Sequence, residues 1–147
     1  MNYKFYTALP PEAQDIRQKV FVEEQGFQHE FDTIDNSATH LLMFENNAAI
    51  ATARFFNGKT KKEFIIGRIA VLPEYRNKHI GAEMLEILQK KINELGGDRI
   101  ILSAQCRVQP FYEKQGYKAQ GAPYLEGLCE HIKMIKTMES TSSRPVC

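Results

Sequence analysis

The chain has few cysteines and no pattern that would make them structural. Cys106, Cys129 and Cys147 are the only three in 147 residues, and none of them forms a CxxC pair. Zinc sites and disulfide frameworks need regularly spaced or clustered cysteines. We therefore expect reduced thiols, no metal site and a cytoplasmic protein.

Long apolar runs and a strong excess of one charge are also missing. No apolar stretch approaches the length of a membrane span, and the N-terminus lacks the pattern of a signal peptide. The net charge of +1 gives no general attraction to nucleic acids or membrane surfaces. We expect neither as a partner. The length fits one domain, predicted over residues 1–136, followed by a mobile, Ser/Thr-rich tail at 137–147.

The most informative stretch runs from Phe64 to Leu95. Phe64–Val71 is almost wholly apolar and predicts a strand buried on both faces, which Pro73 ends. A helix is predicted from about Ile80 to Gly96, because apolar residues recur there at the helical period. The predicted apolar stripe consists of Ile80, Met84, Ile87, Leu88, Ile92 and Leu95.

The loop between this strand and this helix predicts an anion site. Helix N-termini present unpaired N–H groups, and Arg76, Lys78 and His79 add donors just before the helix. The Gly-Lys-Ser/Thr ending of a Walker loop and the three spaced glycines of a dinucleotide fingerprint are both absent. A phosphate or pyrophosphate ligand of another kind is indicated, although a solvated basic turn is the plain alternative.

The residues RIAVLPEYRNKHIGAEML resemble the acetyl-CoA-binding motif of the GNAT N-acetyltransferases. Arg76 stands at the first motif position and Gly81 at the last, whereas His79 stands where the family usually has glycine. RQKVFVEEQGF, AQCRVQPFYEKQGYKAQG and YLEGLCEHIKM resemble the ElaA/YjcF-type branch of the same family. The resemblance implies the mixed α/β GNAT fold, a mostly antiparallel sheet splayed in its middle and flanked by helices.

The resemblance also implies a reaction, transfer of acetyl from the coenzyme A thioester directly to an amine. The expected catalytic acid is Tyr112, in a segment that resembles the one that supplies this tyrosine in the family. A backbone N–H at the end of the central strand is expected to stabilise the thioester oxygen. The expected coenzyme-binding residues are Ile69, Ala70, Val71, Arg76, Asn77, Lys78, His79, Ile80, Gly81, Ala82, Phe111 and Lys114.

The base is left open by the sequence. Glu24 follows the first helix and His131 lies in a late strand, and both are expected candidates, with His40 behind them. A water chain is the alternative. A cysteine nucleophile is disfavoured, because no adjacent His-Asp arrangement is visible.

The remaining pattern predicts secondary structure along the chain. A helix carrying Ala13, Ile16 and Val20 inward and Arg17 outward ends at Gly26, and the acidic segment 28–37 reads as a loop with one helical turn. Strands are predicted over 3–8, 40–45, 48–56, 99–104 and 130–136, a short helix over 109–114, and a strand from Tyr117 to Gln120. A loop is predicted over 121–127.

We expect an acetyl-CoA-dependent N-acetyltransferase acting on the amine of a small molecule or peptide. The alternative is a non-catalytic coenzyme A-binding regulatory module, and a homodimer is one option for assembly. The acidic residues near Glu23 and between Glu30 and Asp35 would favour a cationic acceptor.

Overall fold

The computed structural model describes residues 1–28 and 30–138. Most of the predicted tail, residues 139–147 with Cys147 among them, lies outside the described residues. The strands are β1 Asn2–Tyr6, β2 Thr39–Glu45, β3 Ala48–Asn57, β4 Glu63–Val71, β5 Arg99–Gln105, β6 Lys118–Glu126 and β7 Cys129–Thr137. They form a seven-stranded sheet in the order β1-β2-β3-β4-β5-β7-β6.

The sheet is mixed, as the sequence predicts. Strand β4 pairs with β5 in parallel, whereas β1 with β2, β2 with β3, β5 with β7 and β6 with β7 are antiparallel. The parallel register joins Glu63–Ile65 to Arg99–Ile101, as expected when a helical crossover connects two strands. The helices are α1 Pro11–Arg17, a π-helix Gln18–Glu24, α2 Ile80–Glu94 and α3 Gln109–Lys114, with 3₁₀ turns at Thr33–Asn36, Pro73–Tyr75 and Cys106–Val108.

The chain forms two compact units. One comprises residues 1–56 and 66–88, and the other comprises 57–65 and the residues from 89 onward. The first has a core of Ala13, Ile16, Val20, Leu42 and Ala70. The single-domain assignment over 1–136 stays a prediction.

Helix α2 begins at Ile80, as predicted, but its apolar stripe differs in two places. Leu85 is fully buried although the stripe omits it, and Leu95 is 52% exposed although the stripe includes it. Leu95 is exposed because the helix ends at Glu94 and the chain turns at Gly96, whose φ is +91°. The predicted end of the helix near Gly96 is confirmed.

Strand β4 is not uniformly buried on both faces. Phe64, Ile66 and Ala70 are buried, whereas Ile65, Ile69 and Val71 are half-buried. An apolar composition indicates how favourable burial would be but does not fix which face is covered.

The loop predicted over 121–127 is wrong, because β6 continues to Glu126. Gly121 and Pro123, residue types typical of loops, coincide here with an irregular register between Gln120 and Tyr124. Strand β6 lies at the edge of the sheet, where a proline costs no ladder hydrogen bond with a second neighbour.

Arg17 is not directed outward, as the helical pattern predicts, but is 1% exposed. Its guanidinium donates to Glu30 at 2.8 Å and to Asp35 at 2.7 Å. A buried arginine is stable only with such partners. The partners follow 13 and 18 residues later, so the period of the helix alone could not indicate them.

Candidate active site

The loop before α2 has a backbone suited to an anion. Asn77 and His79 have φ values of +63° and +62°, while Lys78 between them is not in the left-handed region. Alternation of this kind turns successive N–H groups toward one side and forms an anion-binding concavity. The carbonyl of His79 accepts the first bond of α2, from the N–H of Glu83 at 3.1 Å. The helix N-terminus therefore adds its own positive end to the loop.

The unusual histidine of the motif is explained by this backbone. A residue with positive φ at position 79 is easiest to build with glycine, and histidine is among the side chains that adopt this region more often than most. The His79 side chain is exposed. Histidine can thus occupy the usual glycine position without a change in the loop.

Arg76 and Glu24, expected in separate roles, form one ion pair. Nη1 and Nη2 of Arg76 donate to the two carboxylate oxygens of Glu24 at 2.6 and 2.7 Å, and Nε donates to the carbonyl of Val71 at 2.9 Å. The hydrogen bond to Glu24 raises the pKa of Arg76. The bidentate pair fixes the guanidinium beside the anion loop, and it occupies the carboxylate that a base would need free.

Strand β4 contains a backbone irregularity just before the three predicted oxyanion residues. Arg68 has a φ of +54°, whereas Ile69, Ala70 and Val71 follow in the extended strand. A left-handed conformation costs a non-glycine residue about 1 to 2 kcal/mol. The side chain of Arg68 reaches Glu30, with Nε 2.9 Å from Oε2.

Six charged side chains form a cluster, here called the arginine–acid cluster, within the first unit. Arg54 donates to Asp32 and Asp35, and Arg17 bonds Asp35 and Glu30. With Arg68, three arginines balance the three acids. Burial raises the pKa of Asp35, but hydrogen bonds from Arg17 and Arg54 outweigh burial and lower it to about 2.

The cluster revises the sequence-based reading of the acidic segment. Glu30, Asp32 and Asp35 are engaged by arginines of the same chain, so they do not form the acidic surface that was expected to favour a cationic acceptor. His40 is also structural, because it is 1% exposed and its Nε2 lies 3.0 Å from the carbonyl of Asp35. Burial lowers its pKa.

In the second unit, Tyr112 lies on α3 in an aromatic group. Its ring meets Phe111 and Tyr117 edge to face, at centroid distances of 5.1 and 5.9 Å. The side chain is 9% exposed, and burial raises its pKa above the usual range. The phenol therefore keeps its proton at neutral pH, which is the form that a general acid requires.

His131, the second base candidate, lies in β7 with both ring nitrogens near oxygen atoms. Nδ1 is 2.9 Å from the carbonyl of Cys129, and Nε2 is 3.4 Å from Oε2 of Glu126. Tyr124 stacks on the imidazole, with ring centroids 6.4 Å apart. The hydroxyl of Ser103 donates to the other oxygen of Glu126 at 2.9 Å.

Ser103, Tyr124 and Glu126 were missed by the sequence reasoning. Tyr124 and Glu126 contact His131, and Ser103 contacts Glu126, because β5, β6 and β7 are neighbours in the sheet, with Tyr124 directly opposite His131. Residues 121–127 were predicted as loop, so no register was available to bring these side chains together. The resemblance of YLEGLCEHIKM to a known branch was the only signal at this place.

The other predicted coenzyme-binding residues are in regions that the fold leaves partly open. Asn77 and Lys78 are exposed in the anion loop, Gly81 and Ala82 are half-buried in the first turn of α2, and Ile80 is buried beneath them. On α3, Phe111 is half-buried and Lys114 is exposed. Within residues 1–28 and 30–138, no group of three or more His, Cys, Asp or Glu side chains has a metal-binding arrangement.

A comparison with protein families identifies the family of the chain. The acetyltransferase (GNAT) domain matches residues 9–138. The chain belongs to the GNAT acetyltransferase family. It is therefore an acyltransferase.

Relatives with sequence similarity span most of this GNAT chain. An acetyltransferase-family protein of Bacillus subtilis is 33% identical over 132 residues, 86% of this chain and 88% of its own. The N-acetyltransferase YjcF of the same organism is 29% identical over 126 residues, with 82% and 87% covered. ElaA of Escherichia coli is 26% identical over 126 residues, with 82% of each chain covered.

Solved structures share the fold. The ElaA crystal structure superposes with a TM-score of 0.82 at 24% identity, covering 92% of this chain and 98% of its own. An aminoglycoside 6′-N-acetyltransferase complexed with coenzyme A has a TM-score of 0.77 at 15% identity, covering 99% and 100%. No helix among the described residues is both long and apolar enough to span a membrane.

Proposed function

We propose that this GNAT protein transfers the acetyl group of acetyl-CoA directly to the primary amine of a small molecule or peptide. The observation that carries the proposal is the pair of left-handed residues, Asn77 and His79, at the start of α2. The N–H groups of this concavity, with the helix N-terminus, suit a pyrophosphate. A coenzyme A complex of a structural neighbour supports the choice of ligand.

The chain must stabilise charge on the thioester oxygen, protonate the departing sulfur and provide an acceptor for the proton of the amine. The amine nitrogen forms a bond to the thioester carbon, the carbon–sulfur bond breaks, the amine loses a proton and the departing sulfur gains one. N–H groups of Ile69, Ala70 or Val71 would stabilise charge on the thioester oxygen. Tyr112 would protonate the sulfur.

The base is assigned less directly than the acid. Glu24 is held by both nitrogens of Arg76, and a carboxylate with its lone pairs so engaged is a poor proton acceptor. His131 is 5% exposed and has an oxygen near each ring nitrogen. We favour His131 over Glu24 as the base. The alternative is that the amine loses its proton to solvent through a chain of water molecules, without a dedicated base.

A cleft in the first unit supports a cationic amine as acceptor. It has a volume of about 390 Å³ and is lined by Lys19, Glu23, Glu24, Leu72, Pro73 and Glu74. Glu24 is balanced by Arg76. Glu23 and Glu74 against Lys19 therefore leave the lining with a small excess of negative charge, which attracts ammonium groups over short range. Acceptor screens should therefore begin with small amines that carry a second positive charge.

The test has two parts that can fail separately. Acetyl-CoA should raise the melting temperature and ATP should not; at a hundredfold excess over Kd the stabilisation is about 2.7 kcal/mol. A thiol-release assay over a panel of amines then measures turnover, with mass spectrometry of the acceptor confirming a gain of one acetyl group. Stabilisation by ATP alone would contradict the coenzyme assignment.

Two observations favour the alternative of a non-catalytic coenzyme A-binding module. Tyr112 is almost fully buried, and Glu24 is occupied by Arg76. Clear stabilisation by acetyl-CoA without acetylation of any amine or peptide in the panel would select that alternative over the enzyme.

A further inference from the structure

Arg68 holds an unusual backbone conformation inside a regular strand. Its φ of +54° lies in the left-handed region, although it stands between Gly67 and Ile69 within β4. Such conformations persist in non-glycine residues only where the surroundings enforce them. The neighbouring glycine, which could adopt positive φ at lower cost, does not have it. The contacts of the Arg68 side chain offer a physical reason for this arrangement.

The Arg68 side chain is anchored to a partner that is itself fixed. Nε lies 2.9 Å from Oε2 of Glu30, and Nε and Nη2 donate to the Glu30 carbonyl at 3.3 and 3.2 Å. Glu30 is 4% exposed, and Arg17 binds the same carboxylate oxygen and the same carbonyl. The guanidinium of Arg68 is therefore held at several points against a buried part of the arginine–acid cluster.

The conformation of Arg68 bears directly on the predicted oxyanion donors. The N–H of Ile69 belongs to the peptide unit that immediately follows Arg68. Since peptide units are rigid, its direction is set by the torsion angles on either side of it, including those of Arg68. A return of Arg68 to ordinary strand torsions would turn this peptide and the N–H with it.

We infer that the ion pair between Arg68 and Glu30 holds the left-handed backbone at Arg68 and thereby aims the oxyanion N–H groups of β4. Arg68 is a positioning residue, which acts on the thioester through the backbone and not by contact. The inference rests on the proposed function, because only a transferase uses those N–H groups on a thioester oxygen. It adds a determinant that precedes the first motif position, Arg76, in the sequence.

Three substitutions at position 68 separate the effect of the backbone conformation from the effect of the ion pair with Glu30. Arg68→Ala removes the ion pair and leaves a residue that disfavours positive φ. Arg68→Gly removes the same ion pair but accepts positive φ freely. Arg68→Lys retains a cation that can reach Glu30, without the fixed fork of arginine. Circular dichroism and melting temperature confirm that each variant is folded before kinetics are measured.

We expect kcat to fall about a hundredfold in Arg68→Ala, the loss typical of one misplaced oxyanion donor, with the acetyl-CoA Kd unchanged. Arg68→Gly should recover about tenfold of that loss, because glycine permits the conformation without enforcing it. Arg68→Lys should lie between the wild type and Arg68→Ala. If Arg68→Gly is no more active than Arg68→Ala, or if neither differs from the wild type, the inference is wrong. Rescue by lysine without rescue by glycine would also overturn it, since that result assigns a direct role to the cation.

A structural readout keeps this test independent of the proposed function. Crystal structures of Arg68→Ala and Arg68→Gly report φ at residue 68 whether or not the protein acetylates anything. We expect glycine to keep the left-handed value and alanine to leave it. An alanine variant that keeps positive φ would refute the inference even in an active enzyme. A wild type without turnover, combined with the expected change in φ, would refute the proposed function alone.

Discussion

The ion pair of Arg76 with Glu24 joins the anion loop to the π-helix Gln18–Glu24. Arg76 is also a charged residue of the proposed coenzyme site, so its removal tests that site directly. Arg76→Ala should weaken acetyl-CoA binding by about 1 to 3 kcal/mol, because a charge-assisted contact to phosphate is lost. Calorimetry measures the change. Arg99→Ala is the matched control, since Arg99 is similarly exposed and its ion pair to Glu63 is loose at 3.8 Å. Equal affinity in wild type and Arg76→Ala would place Arg76 outside the site.

The positive φ of His79 predicts the effect of restoring the usual glycine. His79→Gly should leave acetyl-CoA affinity equal or slightly higher, because glycine adopts this conformation at lower cost. If instead the imidazole donates to phosphate, the variant should bind more weakly, and most clearly at low pH, where an imidazole is charged. Titrations at two pH values distinguish these results. His79→Ala serves as the control, because it removes the imidazole but keeps the strain of a side chain at positive φ.

For Tyr112 the expected effect is on rate and not on affinity. Tyr112→Phe keeps the ring contacts with Phe111 and Tyr117 but removes the proton donor. Proton transfer typically supplies about 10² to 10⁴ in rate, so kcat should fall by that factor while the Kd of acetyl-CoA is nearly unchanged. Tyr117→Phe, in the same aromatic group, should lower stability through its lost bond from Gln89 but keep kcat. Wild-type turnover by Tyr112→Phe, with chemistry rate-limiting, would reduce Tyr112 to a packing residue.

The raised pKa of Tyr112 adds an expectation for the wild type. A phenol ionises with a pKa near 10 when exposed, and burial moves that of Tyr112 higher. The acid therefore stays protonated through pH 10, and kcat should show no alkaline decline caused by Tyr112 below that pH. A decline that disappears in Tyr112→Phe would contradict the burial seen here.

At the scale of elements, the arginine–acid cluster ties the segment around the 3₁₀ turn Thr33–Asn36 to α1, β3 and β4. Asp35 accepts from both Arg17 and Arg54. Asp35→Asn should lower the free energy of unfolding at pH 7 by about 3 to 5 kcal/mol, the usual cost of breaking a buried ion pair. Chemical denaturation measures it, with the exposed Asp15→Asn on α1 as the control.

The same substitution has a pH dependence with a definite sign. The pKa of Asp35 is about 2 in the folded protein, against 3.8 for the unfolded chain. The ionised carboxylate therefore stabilises the folded protein fully above pH 3.8, and this stabilisation is lost as the pH falls through about 2. The stability difference between wild type and Asp35→Asn should shrink over this window. Glu30 acts in the opposite direction, since burial raises its pKa and protonation then relieves a buried charge. A difference that stays constant from pH 5 to 2 would show that Asp35 carries no such charge effect.

Elements with strong local signals were predicted well from the sequence. Helix α3 has the predicted bounds, and α2 begins at the predicted residue. Asn46 and Asn47, between the predicted strands 40–45 and 48–56, both have positive φ, as a tight hairpin turn of this length favours. The predicted strand ended at Gln120, whereas β6 continues to Glu126. Gly121 and Pro123 favour turns by propensity, but pairing with β7 overrides that propensity.

At the scale of the whole molecule, resemblance predicted more than pattern did. Family motifs predicted the fold class and the mixed sheet, which the structure and the family assignment confirm, whereas the coenzyme loop stays a prediction. Pattern could not find the bidentate pair of Glu24 with Arg76, since these residues lie 52 positions apart. Long-range ion pairs depend on how strands and loops are brought together, and a single sequence carries no register for that.

The π-helix Gln18–Glu24 determines how the anion loop responds to changes in the length of a distant segment. A π-helix closes its hydrogen bonds over five residues and an α-helix over four, so each π-helical residue turns the chain by less than the roughly 100° of an α-helical residue. Loss of one residue together with a return to the α-helical form would therefore nearly preserve the direction of Glu24 relative to α1. A change in length without that compensation would turn Glu24 away from Arg76, although no residue of the loop itself had changed. GNAT proteins of this kind could thus differ by one residue in this segment and still hold the guanidinium beside the anion loop.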